Sequence, residues 1–132
     1  MKPTKYLFIS ILLAIVLFAC KEKEPISIVP SLQGGKGGNY SIAVFTKYNG
    51  VGKSSRIYLK YAADKHPGDT NLFEEKSNTM TEPGFGPHAH FNSLTVGSYY
   101  VYCLSTNNLK ADTVLILDAL SAKSGDIYLN LK

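Results

Sequence analysis

The 132-residue chain contains no tryptophan and only two cysteines, and charged residues make up 18% of it. Cys20 and Cys103 are too few for a zinc framework or a dense disulfide scaffold. Charge of one sign is hardly in excess. A form that begins at Cys20 loses Lys2 and Lys5 and keeps 12 basic against 10 acidic side chains, a net +2. So small a charge attracts nucleic acid weakly, and no nucleic-acid partner is expected. Catalytic signatures are missing as well: the chain has no Gly-x-Ser-x-Gly, His-Glu-x-x-His or Cys-x-x-Cys, and so no motif nucleophile, ligand pair or dithiol. Gly52-Lys53-Ser54 imitates the end of a phosphate-binding loop, yet Lys47 stands where that loop needs its first glycine. The expectation is a protein that is not an enzyme and needs no cofactor. Hydrophobic residues nevertheless form 45% of the chain, too many for disorder, and the length suits one small domain.

There is one long apolar run, Tyr6 to Phe18, broken only by Ser10 and preceded by Lys2 and Lys5. It is shorter than the roughly 20 residues of a membrane span and has the form of a secretory signal. The run ends in Leu17-Phe18-Ala19-Cys20, which resembles the lipobox of bacterial lipoproteins. That resemblance implies a signal peptide over 1–19 and an acylated Cys20 that anchors the protein to a membrane. Residues 20–38 then read as a flexible tether, with the charge-alternating Lys21-Glu22-Lys23-Glu24-Pro25 at one end and Gly34-Gly35-Lys36-Gly37-Gly38 at the other. Lys21 stands where an Asp tends to mean inner-membrane retention, and the charged cluster resembles the surface-display signal of Bacteroidota lipoproteins. Outer-membrane anchoring is therefore the expected location, with display at the cell surface favoured over the periplasmic face. With Cys20 lipidated, Cys103 has no internal disulfide partner and is either buried or intermolecular.

The remaining stretch, 39–132, alternates apolar and polar residues in short runs separated by turn residues and sustains no helical spacing. Strands are expected over Tyr40 to Tyr48, closed by the hairpin dipeptide Asn49-Gly50, and over Arg56 to Ala63, Tyr99 to Leu104, Asp112 to Leu117 and Asp126 to Leu131. Asp64 to Pro87 reads as mostly loop, with one short strand at most. The fold class is all-β, a single antiparallel sandwich of about seven strands, with Ile57, Leu59, Phe91, Leu94, Tyr99, Val101, Cys103, Ile127 and Leu129 buried. The run Ser55-Arg56-Ile57-Tyr58-Leu59-Lys60-Tyr61, with Phe91-Asn92-Ser93-Leu94-Thr95-Val96-Gly97-Ser98-Tyr99-Tyr100-Val101-Tyr102, resembles the carboxypeptidase regulatory-like and transthyretin-like (prealbumin-like) modules. Their pattern, Phe-x-x-Leu-x-x-Gly-x-Tyr-x-Val, consists of core and turn positions and so speaks to fold. Such modules are typically non-catalytic, which implies binding, structural or accessory work.

Three sets of residues carry candidate surface chemistry. Tyr58, Tyr100, Tyr102 and Tyr128 fall on the outward parity of their strands, where an aromatic with a polar tip suits a glycan, a peptide or a partner sheet, or packs across strands with no ligand. Asp112-Thr113-Val114 resembles the O-glycosylation acceptor motif of Bacteroidota, making Thr113 a candidate modification site. In His88-Ala89-His90 the two imidazoles share one side of an extended strand, and His66 or Asp64 could supply a third group. Two histidines without an assured third ligand fall short of a stoichiometric site, so no bound metal is expected, His88 and His90 being the only candidates. Three roles stay open: a lipid-anchored binding or interaction module meeting an envelope protein or glycan, an envelope structural or assembly subunit, and a metal-binding protein built on the histidines.

Overall fold

A computed structural model describes residues 33–132. The segment expected to be a signal peptide, Cys20 and most of the expected tether lie outside the described residues. Eight strands follow in order: β1 (Lys36–Tyr48), β2 (Val51–Gly52), β3 (Ser55–Tyr61), β4 (Glu75–Asn78), β5 (His88–Leu94), β6 (Gly97–Ser105), β7 (Lys110–Leu117) and β8 (Ser124–Asn130). They form two four-stranded sheets, one with β1 at its centre and β2, β5 and β8 paired to it, the other in the order β4-β3-β6-β7. The all-β sandwich read from the alternation is what the chain forms.

Strand parity puts the core between the sheets. Ile42 and Val44 of β1, Ala89 and Phe91 of β5 and Leu129 of β8 face Ile57 and Leu59 of β3 and Tyr99, Val101 and Cys103 of β6. Every residue expected inside is buried except Ile127, which is half-buried and packs against the same core. Truncating a fully enclosed residue such as Leu59 to Ala would cost about 2–5 kcal/mol, the lost transfer energy plus a cavity.

Three details depart from the expectation. One pair is parallel: β8 runs alongside β1 from Ser41↔Ser124 to Lys47↔Asn130. Strands far apart in sequence can pair in either direction, whereas a short turn enforces the antiparallel one. The Asn49-Gly50 turn does close a hairpin, but onto the two-residue β2, after which the chain crosses to the second sheet. Thr95-Val96 likewise leads from β5 in one sheet to β6 in the other.

The glycine-rich segment is not spacer alone. β1 begins at Lys36, and Gly34 lies against Gly97 so closely that a Cβ on Gly97 would stand 2.2 Å from the Gly34 nitrogen. The buried Tyr99 hydroxyl ties this segment down, accepting from Gly35 N (3.0 Å) while its one proton is shared between Thr95 O (2.8 Å) and Gly35 O (3.1 Å). Glycine serves here because its backbone can approach another backbone with no side chain between.

Candidate functional site

The four outward tyrosines do not share a surface. Tyr58, Tyr100 and Tyr102 lie on the outer face of the β3-β6 sheet, where the segment before β4 covers them: Phe73 packs 5.4 Å from Tyr58, and the His66 ring stands edge-on 4.7 Å from Tyr102. All three are buried in a small second cluster around Phe73. They pack against one another and Phe73, the second of the two readings their parity left open. Phe73, an apolar residue inside a polar loop, is the sequence feature that could have marked this fold-back, while its neighbour Leu72 stays exposed.

A broad depression of ≈ 750 Å³ lies beside this cluster, lined by His66, Asp69, Tyr100, Tyr102, Lys110 and Asp112. Several of its polar groups are already engaged. Tyr100 donates its hydroxyl to Asp112, and His66 Nδ1 accepts from Gly68 N at 2.9 Å. Burial, with the Asp112 carboxylate beside it, pushes the Tyr100 phenol above its ordinary range. Thr113 follows Asp112 on the inward parity of the edge strand β7, opposite Val101, and is half-exposed.

The outer face of the β1 sheet is different. Register aligns Tyr128 of β8, Phe45 of β1 and His88 of β5 side by side. Their rings stack, Tyr128 on Phe45 at 4.9 Å and Phe45 on His88 at 4.8 Å. The ladder ends exposed, since Tyr128 is 56% accessible and Phe85, 6.2 Å from His88, is 60%. Phe45, Lys47, Phe85, Pro87 and Tyr128 line a cleft of ≈ 210 Å³, and Lys47 Nζ sits 5.0 Å from the centre of the Tyr128 ring. Phe85 was missed by periodicity because it sits in a turn, although an aromatic between two glycines in Pro-Gly-Phe-Gly-Pro is a visible signal.

The same loop brings a third group to the histidine pair. Met80 and His88 exchange backbone hydrogen bonds of 2.8 and 3.0 Å, and Phe85 N donates to Glu82 O at 3.0 Å. Pro83 and Gly84 occupy the middle of that turn, with Gly84 at φ +84°, the positive angle a type II turn places there. The chain thus reverses and returns Glu82 to β5. The ligating atoms of Glu82, His88 and His90 all lie within 4.8 Å of one another. His66, once a candidate third group, instead packs on Tyr102 of the opposite sheet. His88 is buried, its Nδ1 is 2.8 Å from Gly86 O, and its ring meets that of His90 at 88° with centroids 4.8 Å apart. Glu82 and His90 are exposed. No protein-family model and no curated protein matches the chain.

Proposed function

We propose that this chain is a lipid-anchored, non-enzymatic module of the bacterial envelope that binds a partner at the cell surface through the outer face of its β1 sheet. The exposed end of the aromatic ladder carries this reading: Tyr128 and Phe85 flank a cleft floored by Phe45 and edged by the Lys47 ammonium. Stacked rings present flat apolar area at low entropic cost, and a neighbouring cation and Tyr hydroxyl add hydrogen bonding. Sugar rings and peptide side chains of an envelope partner suit such a surface. The lipobox-like Cys20 and a transthyretin-like sandwich fit the same role, the first as anchor and the second as scaffold. Placing a photo-crosslinking residue at Tyr128 in intact cells is expected to trap a discrete envelope partner. Phe85→Ala should weaken that capture about tenfold, roughly 1.4 kcal/mol. Equal capture from a probe at Thr106, a turn residue after β6, would refute the assignment.

A structural or assembly role has one observation in its favour. Among the described residues, β7 pairs only with β6 along its length apart from the Lys110–Lys132 backbone bonds, and it turns Val114 and Ile116 outward. An open apolar edge is a template for strand addition. Lysine at both positions would abolish such an assembly and leave capture at Tyr128 intact.

A further inference from the structure

We infer that Glu82, His88 and His90 form a binding site for one first-row divalent metal ion of the zinc class. Imidazole and carboxylate donors suit zinc, copper and nickel, and two imidazoles with one carboxylate is a full protein ligand set for a zinc ion that keeps an open position. What separates this cluster from a chance grouping is how His88 is held. Gly86 O can only accept, so His88 Nδ1 carries the proton and donates, which leaves Nε2 as the nitrogen with a free lone pair. A ligating histidine is oriented in this way, through its second nitrogen to a backbone carbonyl. Phe45 stacks on the same ring and, with burial, restrains its rotation.

The other two ligands reach the site by different routes. Strand parity sets His90 two residues on and on the same outer face as His88. Glu82 arrives through the Met80–His88 backbone pair and the turn closed by Glu82 O and Phe85 N. Bonds of about 2.0–2.1 Å at tetrahedral angles place ligand atoms about 3.3–3.4 Å apart. The 4.8 Å grouping is wider than that spacing, and Glu82 and His90, being exposed, are the side chains with room to close it. Three protein ligands leave a fourth coordination position for water or for a donor from a bound partner. The site goes beyond the aromatic-cleft reading and does not depend on it.

Equilibrium dialysis of the full chain against Zn²⁺ alone, with elemental analysis, tests the inference. The expected result is one zinc per chain, with binding weakened at least about tenfold by Glu82→Gln or His90→Gln and abolished by the pair. Both positions are exposed, and far-UV circular dichroism checks that the variants remain folded. His66→Gln, on the opposite sheet, should bind as the unaltered chain does. As a second measurement, zinc should shift the imidazole nitrogen resonances of His88 and His90 and leave those of His66 unmoved. A substoichiometric ion, a stoichiometric ion retained by the Glu82→Gln/His90→Gln variant, or one lost in His66→Gln would each overturn the site.

Discussion

Single side chains in this fold have sharply different surroundings, and Cys103 lies in the apolar core. It is fully enclosed between Ile57 and the β7 edge, and burial, with a smaller effect of the Asp112 charge, pushes its thiol up to about 12. An enclosed thiol of this kind is neither nucleophile nor disulfide partner, so of the two fates open to it from sequence it takes burial. The linkage has a definite sign. In the unfolded chain the thiol ionises near its ordinary value of 9, whereas in the fold it resists ionisation until about 12. Its stabilising contribution is therefore complete below pH 9 and is lost as pH rises toward 12. Tyr61 and Tyr100 act with the same sign, their phenols raised by burial and by the carboxylates of Glu75 and Asp112. Denaturant melts at successive pH values from 8 to 11 should show stability falling through this range. Cys103→Ala should make the fall shallower without removing it, and an unchanged slope would contradict the burial assigned to the thiol.

At the scale of elements, the contact between the segment before β1 and the start of β6 sets the most stringent demand. Gly97 has φ +150°, and a Cβ there would meet both the nitrogen and the Cα of Gly34 within 2.3 Å. No side-chain rotation relieves a clash with backbone, so Gly97→Ala must displace residues 33–35 and break the bonds they make with the Tyr99 hydroxyl. The expected loss is about 2–3 kcal/mol, backbone strain plus the lost bonds between Gly35 and the Tyr99 hydroxyl, which keeps Thr95 O as its acceptor, measured by chemical denaturation. Gly86→Ala, where a Cβ meets nothing within 4 Å, serves as the matched control and should change stability by less than about 1 kcal/mol. If both variants melt alike, the packed role of the glycine-rich segment is wrong.

For the whole molecule, the sandwich presents two unlike outer faces. One is covered by its own loop over Tyr58, Tyr100 and Tyr102 and leaves Val114 and Ile116 of β7 exposed, while the other displays the aromatic ladder and the Glu82–His88–His90 group. A lipid at Cys20, roughly a dozen residues before the described fold, would hold this display at the membrane surface, and stable anchoring requires more than one acyl chain. Cys20→Ala is expected to remove palmitate labelling and shift the protein from the outer-membrane fraction to the soluble one. Retention of both label and fractionation in that variant would refute lipid anchoring.

What could be read from the sequence was whatever obeys a local period. Alternation at Ile57-Tyr58-Leu59 and Tyr99-Tyr100-Val101 set inward and outward faces correctly, because a strand's side chains must point to opposite sides whatever lies across from them. The Asn49-Gly50 turn and the shared side of His88 and His90 were legible for the same reason. Parity says which side a residue faces, however, and leaves open what covers that side. Only the tertiary structure decided that Phe73 buries three outward tyrosines and that β8 returns parallel to β1 to stack Tyr128 on Phe45. The pairing of Gly34 with Gly97, and of Glu82 with the histidines, arose there as well. Each of these joins residues with no shared period, through a loop that closes over a sheet or a strand that pairs across a long sequence separation.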